Sequence, residues 1–466
     1  MSAKKTMCVS AVAVATFLAS LGSTGTALAA VPGTAPDANT AGTPPATSGY
    51  HVNSYDARLD YDPTKDTLSG EATLDLVVRE RRDALDLRLE LPARSVQIDG
   101  TAARVSADKG TLHVKPAKQL APGQHVKVHV TYEGSPRRTL DDPGEDNQAW
   151  AATKDGGRYL ALGTAGVLFP ANSDGTDRSA VHLQVRVPDG WTAVSNGPSG
   201  APRKDGDHRV YRWDNPEPIQ AGMVQFGVGD KWTESDAKLP DGTPVHFVYS
   251  SGAEGRGRKL AEALGDAATW EADMFGKYRH RSLTVSFLDF KDLNVPNVTG
   301  SNTISMNMEF DDPDKGTQPI TQDVLVHELS HTWLEDVQAQ DAYVEETIPT
   351  YLQWAWQEKF RKADLVKMYR DKVKKIQWEN ANVYTTGDVA MYALRRLVGD
   401  GAFDRTLKDW LPDHAGRPAG WDAFRASLEK RSGKDLTPFF AGWFPPEGTK
   451  PGYPGDDLVW PAWAKG

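Results

Sequence analysis

Cysteine is almost missing from this sequence: Cys8 is the only one in 466 residues. It lies inside the N-terminal stretch that reads as a signal and not at the cleavage site of that signal, which argues against a lipoprotein anchor. Without a second cysteine no intrachain disulfide can form, so stability must come from burial and bound metal. Positive charge is also scarce. Lys and Arg number 53 against 63 Asp and Glu, a net charge of −10. That acidity argues against a nucleic-acid or anionic-membrane partner. No internal repeat is visible, and no apolar run is long enough to span a bilayer.

The first 29 residues read as a signal peptide. Lys4 and Lys5 supply the positive start, Val9 to Leu21 is short and mainly apolar, and Ala27-Leu28-Ala29 offers a small-x-small cleavage site. The mature protein is therefore expected to be secreted and extracellular, with no membrane anchor. Residues 30–49 are rich in Ala, Thr, Pro and Gly and read as a flexible linker.

From 50 to 235 the pattern has a period of two. Val126, Val128, Val130 and Tyr132 alternate with Lys127, His129 and Thr131, and Leu183, Val185 and Val187 alternate with Gln184 and Arg186. Short runs of this kind between Asp-Gly, Pro-Gly and Asn-Gly turns predict an antiparallel, β-sandwich-like domain. From 236 to 455 the pattern turns mixed and then helical. A helix is expected over 259–275 and strands over 283–288 and 303–307. Further helices are expected over 321–336, 345–361, 363–377, 386–398, 402–411 and 420–431. Residues 456–466 read as a tail. The fold class is therefore α+β and multidomain.

The most informative segment is His327-Glu328-Leu329-Ser330-His331. On a helix, residues i and i+4 share a face, so the two imidazoles converge on one ion. Glu328 is rotated by about 100° from His327, near enough to reach a metal-bound water without binding the metal. Val324, Leu325, Val326, Leu329, Trp333 and Leu334 make the helix apolar nearly all round. In such a core, two imidazoles and a carboxylate are costly unless a metal compensates them. Zinc suits imidazole ligands, and three protein ligands leave a position open for water.

A third ligand must come from elsewhere, because Val337 occupies the position of a third histidine six residues after His331. Four acids are within reach: Glu335, Asp336, Glu345 and Glu346. Glu335 extends the same helix line, where three ligands converge poorly, and reads as a solvated helix end. Glu345 and Glu346 open the next helix, whose start Pro349 helps to fix.

With these residues in place the sequence resembles the gluzincin aminopeptidases related to aminopeptidase N. Those proteins carry H-E-x-x-H, a Trp two residues on, and a downstream Asn-Glu-Gly-Phe-Ala-x-Tyr segment whose Glu binds zinc. His331-Thr332-Trp333 and Glu345-Glu346-Thr347-Ile348-Pro349-Thr350-Tyr351 match. The resemblance makes Glu346 the third ligand, although fourteen residues (332–345) separate it from His331 where the family usually has eighteen. A loss of four is about one helical turn. Val383-Tyr384-Thr385-Thr386-Gly387-Asp388 resembles the family's Tyr-x-x-Gly helix start, whose tyrosine stabilises the oxyanion, and this role carries over to Tyr384. Leu168-Phe169-Pro170-Ala171-Asn172 and Trp191-Thr192-Ala193-Val194-Ser195-Asn196-Gly197 resemble stretches of the family's N-terminal domain. Phe439-Phe440-Ala441-Gly442-Trp443-Phe444 resembles the end of its thermolysin-like catalytic domain.

Two departures stand out. The family's Gly-x-Met-Glu-Asn loop should fall at Pro296-Asn297-Val298-Thr299-Gly300, which has no acid, and 159–167 lacks the family's other acid. In the family these glutamates bind the free amino group of the substrate. Glu309, in an acidic turn with Asp311, Asp312 and Asp314, reads as part of a solvated loop or weak cation site, and the alternative that Glu309 or Glu345 has taken over amino-group binding stays open. The resemblance thus implies a monomeric, zinc-dependent metallopeptidase acting on a peptide or protein, with one Zn²⁺ per chain. The ligands are His327, His331 and Glu346, with Glu328 and Tyr384 as the catalytic pair. Two other readings stay open: an endopeptidase, or peptidase without free N-terminus selection, and a zinc-binding but inactive interaction protein.

Overall fold

The computed structural model describes residues 48–136, 150–160, 166–174, 177–197, 199–291, 297–310, 320–335, 338–339, 342–361, 383–414 and 417–443. The expected signal peptide, nearly all of the linker, the 363–377 helix and the tail lie outside them.

The N-terminal region is built on strands whose side chains alternate between core and solvent. Six of them are β1 (Tyr50–Asp62), β2 (Thr67–Val78), β3 (Ala93–Ile98), β4 (His125–Gly134), β5 (Arg178–Pro188) and β6 (His208–Gln220). They lie in the order β6-β5-β1-β2-β4-β3 within an eight-stranded sheet closed by a short strand at each edge. In β4 the period-two reading holds residue by residue: Val126, Val128, Val130 and Tyr132 are buried. Two four-stranded sheets, one containing Leu85–Arg88 and the other Phe226–Gly229, share the same apolar core.

One pairing departs from the expected antiparallel pattern. β1 and β5 run parallel, from Ser54 opposite Ala180 to Asp60 opposite Arg186. Alternation along a strand reports its buried face and not the direction of its neighbour, so the sequence pattern carried no sign of this.

The second region opens with a five-stranded sheet: β7 (Thr233–Lys238), β8 (Pro244–Tyr249), β9 (Leu283–Leu288), β10 (Val298–Gly300) and β11 (Thr303–Asn307). Their order is β7-β8-β9-β11-β10, with β8, β9 and β11 parallel and both edge strands antiparallel. β9 and β11 are buried at every residue, as strands covered on both faces should be. The expected 259–275 helix is two, α1 (Glu254–Ala261) and α2 (Leu264–Phe275). The apolar stripe through Leu260, Leu264, Ala267 and Ala268 runs across the break, which hid it. Among the described residues six helices follow: α3 (Gln322–Leu334), α4 (Ala342–Arg361), α5 (Val383–Val398), α6 (Asp400–His414), α7 (Trp421–Ser432) and α8 (Thr437–Trp443). α4 begins three residues before Glu345, so Pro349 lies in its interior and not in its first turn. Proline has no N–H to give to the carbonyl four residues back, that of Glu345.

The two regions meet along a continuous seam. The Lys154 N–H donates to Asp289 O at 2.8 Å and the Lys291 N–H to Ala152 O at 2.9 Å, so the hairpin around Lys154 pairs with the chain leaving β9. Tyr159, Trp232, Val248, Leu288 and Phe290 form a small apolar core across this junction.

Candidate metal centre

Helix α3 presents the H-E-x-x-H segment. Thr321, in extended conformation, precedes it, and Asp323 lies in the first turn, where a negative charge complements the helix N-terminus. Leu325, Val326, Leu329 and Trp333 are buried against the sheet and the neighbouring helices. Trp333 anchors the far end. Its indole N–H donates to Gly276 O at 3.1 Å, and its ring meets Tyr278 edge-on. The Trp that follows H-E-x-x-H thus ties α3 to the turn ending α2.

The structure brings His327, His331 and Glu346 together. The two Nε2 atoms are 3.2 Å apart. Glu346 Oε2 lies 3.5 Å from His327 Nε2 and 3.6 Å from His331 Nε2. These three are the group among the described residues whose donor atoms converge closely enough to hold a metal. Tetrahedral zinc with ligands at about 2.05 Å has donors about 3.3 Å apart, and the observed triangle matches that edge length. Two imidazole nitrogens this close cannot both be lone-pair acceptors without a proton or a cation between them. The residues therefore fit zinc. Nδ1 of His327 is buried and has no partner among the described residues.

Electrostatics without metal follow from this geometry. Burial opposes charge on both His331 and Glu346, but their mutual attraction prevails. Glu346 is held well below the usual carboxylate range, and His331 is pushed up to about 9.

Glu328 is outside the convergent group and largely buried. Its carboxylate Oε2 accepts a hydrogen bond from the Thr299 hydroxyl at 2.8 Å. Thr299 lies in β10, the edge strand that packs beside α3. In the sequence 296–300 stands out only for its missing acid, and no local pattern marks this threonine.

Glu346 is carried by α4, which packs on both α3 and α5. The glycine of the Tyr-x-x-Gly stretch has a packing reason. A Cβ at Gly387 would lie 3.1 Å from Thr347, the residue after Glu346. Tyr384 falls in the first turn of α5, but its side chain lies outside the described residues.

Two acids lie in surroundings other than those expected from the sequence. Glu335 is no solvated helix end. Its side chain is 8% exposed and 3.3 Å from the Arg178 guanidinium, which also donates to Glu335 O at 3.0 Å. Arg178 begins β5, so this pair joins the two regions. Glu309 is no solvated loop acid either: it is buried and ion-paired with Lys154. In both cases a partner more than 150 residues away, supplied by the N-terminal region, makes burial of the carboxylate tolerable. Asp311, Asp312 and Asp314 lie outside the described residues.

No protein-family model matches the chain. It is similar to Aminopeptidase 2 of Candida albicans, with 20% identity over 424 residues, 81% of this chain and 45% of that protein. It is similar also to Aminopeptidase N of Caulobacter vibrioides, with 22% identity over 351 residues, 66% of this chain and 40% of that protein. The chain thus spans less than half the length of these curated relatives. Among solved structures, the M1 zinc metallopeptidase from Deinococcus radiodurans has a TM-score of 0.71 and 22% identity, covering 87% of this chain and 96% of that one. A two-domain M1 zinc metallopeptidase variant bound to L-arginine has a TM-score of 0.72 and 20% identity, with the same coverages. In both sequence and fold, over most of its length, the chain is similar to the aminopeptidase N-like gluzincins.

Proposed function

We propose that this protein is a secreted, zinc-dependent peptidase, with His327, His331 and Glu346 as the ligands of one Zn²⁺ per chain and a thermolysin-like catalytic domain. The observation that carries the reading is the donor triangle of 3.2, 3.5 and 3.6 Å, with Glu328 beside it and outside it. When bound, zinc polarises the scissile carbonyl and lowers the pKa of a coordinated water. Glu328 takes the proton of the attacking water on its carboxylate and delivers it to the leaving amine. Tyr384 donates a hydrogen bond to the developing oxyanion, worth about 3 kcal/mol for such a donor. A free substrate amine finds no acid at Thr299, and Glu309 is occupied by Lys154. The proposed peptidase is aminopeptidase N-like, with a weaker dependence on a free N-terminus as the second reading that the neutral Thr299 favours, and Glu345 as the remaining acid that would restore it.

The test compares purified wild type with two variants. Wild type should hold about one zinc per chain and cleave peptides. His327→Ala should lose metal and activity together, whereas Glu328→Gln should retain zinc and lose turnover by at least about a hundredfold. Metal analysis showing Glu328→Gln as zinc-poor as His327→Ala would refute the division between ligand and base.

A further inference from the structure

The segment notable in the sequence for its missing acid makes a contact to the base itself. The Thr299 hydroxyl lies 2.8 Å from Glu328 Oε2 and 3.1 Å from the main-chain oxygen of the same residue. A hydroxyl has one proton, and the shorter, charge-assisted contact to the carboxylate is the stronger acceptor. Oε2 thereby gives one of its lone pairs to Thr299, which makes Oε1 the more basic of the two oxygens.

The position of Thr299 is itself fixed from the other region. Gly300 O accepts from Asn196 Nδ2 at 2.7 Å, and Val298 O accepts from Gln225 Nε2 at 3.3 Å. These two carbonyls flank Thr299. Asn196 Oδ1 accepts the Gln225 N–H at 2.7 Å, and Asn196 O accepts from Asn215 Nδ2 at 2.8 Å, so the gripping side chains are held in turn. At Gly300 no other residue fits, because a Cβ would lie 2.5 Å from Met223 O. A side chain held at this precision is suited to fixing a second one.

We propose that Thr299 is a positioning residue for Glu328: its hydroxyl hydrogen bond selects the carboxylate rotamer and the oxygen that works as base. The inference rests on the base role given above to Glu328, and it makes the N-terminal region part of the catalytic geometry. No acid is needed at position 299 for this task; a short donor is.

The test uses full-length, zinc-loaded protein carrying Thr299→Val, which keeps the shape and removes the donor, and Thr299→Ser, which keeps the donor. Thr299→Val should lower kcat by about tenfold to a hundredfold with KM within about twofold, because a displaced reacting group costs turnover more than binding. Thr299→Ser should recover most of the loss, and zinc content should be equal in all three. Crystal structures should show Glu328 in one rotamer in wild type and Thr299→Ser, and moved in Thr299→Val. Thr299→Ala gives the same comparison if the valine variant fails to fold. An unchanged kcat and rotamer in Thr299→Val, or equal losses of zinc and activity in the valine and serine variants, would overturn the assignment. If wild type itself cleaves no peptide, the proposed function fails, and the rotamer comparison alone decides the role of Thr299.

Discussion

At the scale of single residues, the three donors of the site differ in how visible they were. His327 and His331 follow from helical geometry alone, since four residues bring them to one face. Glu346 needed the family pattern, because Glu335, Glu345 and Glu346 are equally acidic in sequence. The structure separates two of them: Glu346 Oε2 is within 3.6 Å of both imidazoles, while Glu335 is taken up by Arg178. Glu346→Ala should therefore weaken zinc binding far more than Glu335→Ala in competition with a chelator. Glu335→Ala should instead destabilise the fold by about 1–3 kcal/mol, by removing the carboxylate that faces the Arg178 guanidinium across the two regions, as unfolding in denaturant would report. Proton competition gives a second expectation. Zinc requires neutral His331, whose pKa is raised to about 9 by Glu346 in the metal-free protein. The group is charged below that value and neutral above it, so apparent zinc affinity should rise with pH and level off near 9. A chelator titration giving an affinity independent of pH would contradict this.

At the scale of helices and strands, burial patterns were read well and partners poorly. The strands Leu283–Leu288 and Thr303–Asn307 coincide with their expected bounds, because each is a short run rich in β-branched and apolar residues, the second opening directly after Gly300, Ser301 and Asn302. Helix α4 begins earlier than Pro349 implied, at Ala342, so the proline falls in its interior and does not mark its start. The contact between α4 and α5 depends on Gly387, where an added Cβ would press on Thr347 at 3.1 Å. Gly387→Val should force the helices apart and cost about 1–3 kcal/mol of stability, measured as a lower denaturant midpoint. Because Thr347 adjoins Glu346, the same variant should bind zinc more weakly. Retention of full stability would mean that α5 tilts without cost.

At the scale of the whole molecule, the sequence showed two regions but not how they share the site. Asn196 lies in a stretch recognised for its likeness to the family, yet its contact with Gly300 is more than 100 residues away and invisible to local pattern. Glu309 was legible as an acid and not as the partner of Lys154. That pairing bears on substrate choice: with Thr299 neutral and Glu309 occupied, acetylating a substrate's amino group should slow cleavage by less than about tenfold. A matched pair of free and acetylated peptides, digested side by side, tests this; cleavage of the free peptide alone would show an amino-group anchor elsewhere. The parallel pairing of β1 with β5 has a consequence for the making of the protein. Ser54 waits for Ala180, and at about 5–20 residues per second of synthesis that wait is roughly 6–25 s. Throughout it the fifth-from-edge strand of the finished sheet is an open edge, ready to pair with any other extended chain. The order of emergence therefore sets a need: this chain must be kept extended and shielded until its first two hundred or so residues are out, and only then released to fold.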